Sequence, residues 1–505
     1  MTVSTLKKWL ALICSIVMIL CSFPVTAFAQ TESEITLTLD SYASTRIDAP
    51  QYMGLKDNTD SALVESIKTQ LENLDEYIDI SEFGLLNTSE NQQKIINILS
   101  YEIPECFHIA REFGISTNRY IVGIAPTYLY TKEEYDTMLS ECYAAIDRML
   151  KGVEGNSNLT DVEKLLILHD RIALHCEYDY ERYELGTLPL ISHSMYGVFV
   201  NKLAVCQGYA IAYAYLLDRI GIKNYYCASD ALCHAWNIVY VNNKPYHVDI
   251  TWDDPNWDIT GKVTHENFLV STEKLIYNGH YAEDENGNLY YDYDDSPKDT
   301  TYDDYFWQDS ETAFTLLNDE IYYIDGKEGQ TVSIKRYSDK QAVYTTTHHW
   351  WVSANGYWPG NYARLDTDGK DLLFSLSDAI YKLDVETGNA TAIHTPTLYY
   401  PYRIYGFTYD DNMLIYDLCD RYYFGADTKK LYEHKVEYLT YTPGDIDDNS
   451  AVNLVDVSVI AQVMAGWSVK YNKLTLDVNG DGYENLKDLV HLARYVAGWQ
   501  GIELH

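Results

Sequence analysis

The stretch Ala204–Gly221, AVCQGYAIAYAYLLDRIG, decides how the middle of this chain is read. Tyr209, Ala212, Tyr213, Leu216, Leu217 and Ile220 recur at helical spacing, and Gly221 supplies a stop. Cys206 therefore stands at or near a helix N-terminus. Unpaired backbone N–H groups and the helix dipole favour thiolate over thiol there, and they can donate to a developing oxyanion. Alone, such a cysteine also reads as a buried structural thiol.

Downstream, CHAWNIVYVNNKPYHVDITWDD runs from Cys233 to Asp254 and reads as a β-hairpin turning at Asn242-Asn243. A two-residue loop sets Val241 opposite Lys244 and Trp236 opposite Asp249, so Asp249 shares a face with His234 on the diagonal. An odd loop would put Asp249 on the other face, so the pairing depends on register. A carboxylate that fixes an imidazole, which in turn deprotonates a thiol, is the logic of acyl transfer. Trp236 reads as core or as a shield for the His–Asp pair. Gln207 could place a backbone N–H in an oxyanion hole. His169, His193, His247 and His265 read as structural, and Asp253 and Asp254 as turn residues.

EKLLILHDRIALHCEYDY, HSMYGVFVNKLAVCQGYAIAYAYLL, HAWNIVYVNNKPYHVDITWDDP and HENFLVSTEKL together resemble, in this order, the bacterial transglutaminase-like superfamily. Cys206, His234 and Asp249 fall on its cysteine, histidine and aspartate. The resemblance implies a papain-like α+β core and a catalytic triad working through a thioester, with no cofactor for catalysis. Hydrolysis of a protein or peptide amide is the expected reaction, since water is abundant outside a cell. Protein cross-linking by transfer to an amine, and a deglycosylating amidase, are the alternatives within the class. A non-catalytic component binding cell wall or plant polymer is the alternative outside it.

A second decisive pattern closes the chain. DIDDNSAVNLVD begins at Asp445 and DVNGDGYENLKD at Asp477, and Ala465-Gly466-Trp467 returns as Ala497-Gly498-Trp499 at the same offset of 32. That is a duplicated unit. Each copy carries oxygen-bearing residues at loop positions 1, 3, 5, 9 and 12, the spacing that wraps a loop around Ca²⁺. They are Asp445, Asp447, Asn449, Asn453 and Asp456, then Asp477, Asn479, Asp481, Asn485 and Asp488. An apolar helix follows each loop. This tail is similar to type I dockerins over residues 443–500. The likeness implies two calcium ions and a cohesin domain of a scaffolding protein as partner, hence a secreted or cell-surface cellulosome component. Ser450 stands where the first loop's turn glycine is expected, and Leu454-Val455 and Leu486-Lys487 stand where small hydroxyl residues are common.

The remaining sequence sets the frame. Lys7 and Lys8, an apolar run to Phe23 and Ala27-Phe28-Ala29 make residues 1–29 a signal peptide, with no membrane span after its removal. Its loss takes the net charge from −38 to −40, which argues against nucleic acid as a partner. Seven cysteines then remain, an odd number, so at least one is unpaired within the chain. If Cys206 is that one, the other six allow fifteen pairings or may all be thiols.

The expected organisation is multidomain: a mainly helical region over 30–155, the transglutaminase-like core over 156–281, an acidic linker over 282–305, an all-β, tyrosine-rich, repeat-like domain over 306–440 and the small α dockerin over 443–500. Capping boxes are expected at Thr131/Glu134 and Thr160/Glu163. Trp350, Trp351 and Trp358 suggest carbohydrate contact or, more simply, sheet core; His348-His349 reads as an exposed pair.

Overall fold

The computed structural model describes residues 33–39, 58–254, 259–325, 332–346, 352–353, 356–357, 363–398, 402–410, 412–420, 432–438, 443–447, 451–469, 471, 475–479 and 483–504. The signal peptide, His348, His349, Trp350, Trp351, Trp358, Asn449, Ser450 and Asp481 lie outside them. The chain is a multidomain assembly of mixed helix and sheet, rich in antiparallel sheets.

The first body contains more sheet than a mainly helical region. Strands β1 (Ser33–Thr38), β2 (Ile78–Asp79), β3 (Glu112–Thr117) and β4 (Ile121–Ala125) form an antiparallel sheet ordered β1-β3-β4-β2. Helices α1 (Asn58–Glu72) and α2 (Ser89–Asn97) complete it. Leu63, Ile67, Leu71, Ile95, Ile115 and Ile124 share its apolar cluster. The β1–β3 pairing joins Ser33 to Thr117, a separation too long for local patterning to reveal.

Helix α3 (Lys132–Leu150) lies within the expected N-terminal region, yet its Cys142, Ile146, Leu150 and the following Val153 belong to the next core. Both expected capping boxes form, at the start of α3 and of α4 (Asp161–His175), each threonine and glutamate satisfying the other's backbone N–H. Helix α5 (Cys206–Arg219) ends at Gly221, whose φ of 75° suits a residue without Cβ. Against α5 lies an antiparallel sheet ordered β8-β7-β6-β5, from β5 (Asn224–Ser229), β6 (His234–Val241), β7 (Lys244–Val248) and β8 (Phe268–Val270). Asn242 and Asn243 turn the β6–β7 hairpin with φ of 51° and 63°, and Val241 pairs with Lys244. Both left-handed values match the tight turn that asparagine tolerates, and its two-residue length fixes the register.

Residues 282–305 are largely exposed, but several of their side chains bind back to the core. They form a strap whose carboxylates return to the sheet. Asp292 accepts from Ser229, Asp294 from Tyr225 at 2.8 Å, Asp299 from Lys244 and Tyr246 at 2.6 Å each, and Asp303 from Ser271. Lys244, with Thr301 and Tyr246, holds the Asp299 carboxyl well below the usual range. An acidic run reads as solvated when its partners sit on distant strands.

Beyond the strap come three antiparallel meanders of four, four and three strands, starting at Thr315, Leu365 and Tyr402. They pack onto the preceding core rather than hang from it. Trp307, Phe314, Ile321 and Tyr323 share one apolar cluster with α4 and α5. Lys202 pairs with Asp410 at 2.7 Å, and the Phe407 amide donates to the Thr260 carbonyl at 2.8 Å.

The last body is two helices, α6 (Leu454–Met464) and α7 (Leu486–Val496), around Ile446, Ile460, Leu476, Val478 and Leu492. Among the described residues no helix is long and apolar enough to cross a membrane. All seven cysteines of the described residues are free thiols, six buried and Cys233 exposed.

Candidate active site

Cys206 is the first residue of α5 and is buried. The residue before it, Val205, has no polar side chain with which to cap the helix. The first-turn amides of α5 therefore receive no side-chain acceptor from the cap position. The approach to the helix is tight. The Val205 amide donates to the Ser192 carbonyl at 2.9 Å, and a Cβ on Gly208 would lie 3.0 Å from that same oxygen. Asn237 on β6 donates to the Ala210 carbonyl at 2.9 Å, fastening α5 to the sheet. Gln207, beside the cysteine, accepts through Oε1 from His193 Nδ1 at 3.1 Å. Both line a cavity of about 70 Å³ walled on its far side by Leu99, Ile103 and Arg111 of the first body.

His234 opens β6 and Asp249 follows β7, and the hairpin register brings them together. His234 Nε2 lies 2.6 Å from Asp249 Oδ2, and both side chains are buried. The Cys206 thiol lies close enough to His234 to act on its charge. With Nε2 committed to Asp249, Nδ1 is the ring nitrogen left for the sulfur. Burial opposes a charged imidazole, but the charge and hydrogen bond of Asp249, with the Cys206 thiol adding to them, raise the His234 pKa well above the ordinary value. Burial likewise opposes the Asp249 carboxylate, and the adjoining His234 and His280 overcome it, holding the carboxyl well below its usual range.

Four neighbours, Trp252, Trp236, His247 and His280, complete the site. Asp249 caps the short helix Ile250–Asp253, its Oδ1 accepting the Trp252 amide at 3.2 Å. Trp236 donates its indole N–H to His247 Nδ1 at 3.0 Å, so that tryptophan is tied into the sheet face. Burial drives the His247 pKa far down, leaving a neutral ring whose Nε2 meets Thr272 at 3.1 Å. His280 lies beyond the hairpin and places Nε2 2.8 Å from Asp249 Oδ2. It carries no motif spacing, and sequence reasoning missed it.

A second buried His–Asp cluster lies nearby. His169 Nδ1 meets Asp170 at 2.8 Å and its Nε2 meets Asp253 at 3.1 Å. His265 Nε2 meets Asp170 at 2.9 Å, and its Nδ1 donates to the Ser310 carbonyl at 3.1 Å. Asp170 also receives the Phe314 amide at 2.6 Å, which ties α4 to the β meanders. Burial opposes the charged His169 ring, but its hydrogen bonds to Asp170 and Asp253 raise the pKa to about 9. Asp253 and Asp254 are buried rather than exposed turn residues: Asp253 also accepts from Asn267 and Thr264, and Asp254 from Tyr209 at 2.6 Å.

Among the described residues, three groups have potential metal-ligand atoms within 4.8 Å of one another: His169/Asp170/His265, His234/Asp249/His280 and Asp445/Asp447/Asp456. In the first two the ring nitrogens already meet carboxylate oxygens. The third offers oxygen alone, the donor set a hard cation such as Ca²⁺ takes. Asp456 is buried and receives the amides of Ile446, Asp447 and Asn453. In the second loop Asp488 receives those of Asn479 and Asn485. Asn453 and Asn485 spend their side-chain oxygens as caps of α6 and α7, accepting from Val455 and Lys487 at 2.8 and 3.0 Å.

Residues 443–497 match the Dockerin type I domain family. A solved structure described as a TGase is 18% identical, with a TM-score of 0.21, over 24% of this chain and 34% of that one. That likeness is too slight to bear on fold or chemistry. No curated protein matches the chain.

Proposed function

We propose that this protein is a secreted, cellulosome-associated cysteine enzyme of acyl transfer, hydrolysing protein or peptide amides. The observation that carries the reading is the buried His234–Asp249 pair at 2.6 Å, with the Cys206 thiol close enough to act on the His234 charge, at the N-terminus of a helix without a side-chain cap. The Cys206 proton passes to His234 Nδ1, and the thiolate sulfur attacks the carbonyl carbon. The first-turn amides of α5 receive the oxyanion. As the C–N bond breaks, His234 returns that proton to the leaving amine, and a thioester remains on Cys206. Water then attacks the thioester carbon and gives a proton to His234. The acid departs and the proton restores the thiol. Asp249 keeps its charge throughout and orients the ring.

The C-terminal module is read as the docking half. Asp445, Asp447, Asn449 and Asp456 and their second-loop counterparts Asp477, Asn479, Asp481 and Asp488 would hold two Ca²⁺ ions, with Asn453 and Asn485 at the starts of the helices that follow. Those ions would order the module for a cohesin domain. Leu454, Val455 and Leu486 are more than half exposed at the helix starts, where a partner would reach them.

Peptide profiling by mass spectrometry, with and without added amine, tests the catalytic half. New termini or deamidated side chains that vanish in Cys206→Ala support hydrolysis, and amine adducts convert the reading to cross-linking. No Cys206-dependent change in either arm leaves the site as a binding component.

A further inference from the structure

One oxygen of Asp249 serves two histidines. His234 Nε2 reaches Oδ2 at 2.6 Å and His280 Nε2 reaches it at 2.8 Å, while Oδ1 is taken by the Trp252 amide. An ionised carboxylate oxygen only accepts, so each Nε2 donates its N–H. His280 is built for that single bond. Its ring is fully buried, and its Nδ1 has no hydrogen-bond partner among the described residues. Burial lowers its pKa, which keeps it neutral. The Trp252 indole lies over the ring, centroids 3.8 Å apart. The backbone is pinned too: its amide donates to the Leu275 carbonyl, and its carbonyl accepts the Tyr293 hydroxyl of the strap at 2.7 Å.

Resting on the catalytic reading of Cys206, His234 and Asp249, we propose that His280 is a positioning residue of that array. Its Nε2–H holds the Asp249 carboxylate in place and shares its charge, and so sets how strongly Asp249 draws the His234 imidazolium. Two donors on one oxygen divide its negative charge. With His280 removed, the undivided negative charge raises the proton affinity of both the imidazole and the thiol, and leaves the carboxylate one restraint short. The other groups facing this pair are Cys206, His247 on β7, Cys227 on β5, Asp253, and Lys298, whose charge reaches His247.

Iodoacetamide alkylation of the full-length protein across pH, read on tryptic peptides, tests this without a known substrate. The exposed Cys233 serves as the ordinary thiol in the same molecule. Wild-type Cys206 should react faster than Cys233 at low pH. His280→Leu should move the acid limb of the profile upward by roughly half a unit to one unit. It should thereby slow Cys206 roughly three- to tenfold on the acid side of its profile, the rate change that such a shift produces. His280→Gln, which offers an amide N–H at the reach of Nε2, should restore both. A structural role alone would not move the limb. If His280→Leu fails to fold, His280→Asn, whose amide falls short of Asp249, should show the shift that His280→Gln lacks. A fast Cys206 whose profile ignores every His280 variant, or a shift that His280→Gln leaves uncorrected, overturns the proposal alone. A wild-type Cys206 no faster than Cys233 overturns the catalytic reading itself, and the proposal with it.

Discussion

The described residues hold two buried histidine–aspartate clusters built from the same residue types. In the first, His234 and His280 share Asp249; in the second, His169 and His265 share Asp170. The second is closed, because both nitrogens of each ring meet an oxygen. The first is open, because one nitrogen of His234 is left for the Cys206 thiol. A histidine that has spent both nitrogens on fixed acceptors can hold elements together but cannot carry a proton to a substrate. Identity and burial therefore do not separate a reactive cluster from a structural one. The unspent nitrogen and the thiol beside it do.

The comparison breaks most completely at the thiol. Cys206→Ala should remove nearly all acyl-transfer activity, a loss of roughly a thousandfold or more, with the circular dichroism spectrum and thermal midpoint little changed. Adding His234→Ala should cost little beyond the single variant, because the two residues act in one step. Full activity in a folded Cys206→Ala protein would dismiss the open cluster as a catalytic site.

Neither cluster should depend on calcium, while the C-terminal module should. Five fully buried aliphatic side chains form the centre of its core, and three carboxylates converge at its first loop. Without a cation those charges repel, and binding free energy is folding free energy in so small a body. Excess chelator should therefore unfold residues 443–497 and abolish cohesin binding, and leave Cys206 alkylation unchanged. Amide hydrogen exchange localises the effect. Protection of α6 and α7 that survives chelation would count against the two-ion reading.

What the sequence disclosed about these regions was local. The β6–β7 register follows from Asn242-Asn243, because a two-residue turn fixes which residues share a face. The helix starts at Thr131 and Thr160 follow from side chains three positions apart. The paired helices of the C-terminal module follow from a repeat at one offset. What stayed hidden was long-range. The strap carboxylates find partners on β5 and β7, and the segment leading into the β meanders seals the closed cluster through Phe314 and Ser310. His280 reaches Asp249 across 31 positions with no pattern to announce it. Polar segments read as linkers or turns because composition carries no information about a distant acceptor.

Asp170 gives the converse of the Cys206 experiment. It accepts from His169, from His265 and from the Phe314 amide, so Asp170→Asn leaves two buried rings short of an anion and loosens the seam between α4 and the β meanders. The expected loss is about 3–5 kcal/mol, the usual cost of removing one partner from a buried charged network. It should appear as a lower urea midpoint, and surviving folded protein should keep a Cys206 of normal reactivity. A loss below about 1 kcal/mol would mean that apolar packing, not the network, holds the seam.

The smallest effect concerns pH, and it separates the clusters by sign and size. His169 titrates at about 9 in the folded chain against 6.5 for the free side chain. A raised histidine pKa contributes stability that is complete below pH 6.5 and is lost as pH rises to about 9. Asp170 is depressed, so its contribution is present above about 4 and is lost only in acid, as pH falls through its folded value. Asp253 is raised by burial and so penalises the folded state once it ionises. Together they predict a fall in unfolding free energy from pH 6.5 to 9, on the order of 1–3 kcal/mol from the closed cluster. The raised pKa of His234 adds a loss of the same sign, which wild-type protein alone cannot apportion. His169→Gln should flatten most of the slope and leave the alkylation profile of Cys206 in place. His234→Gln should flatten the remainder and abolish that profile. If both variants keep the wild-type slope, the two clusters do not hold their protons as the geometry implies.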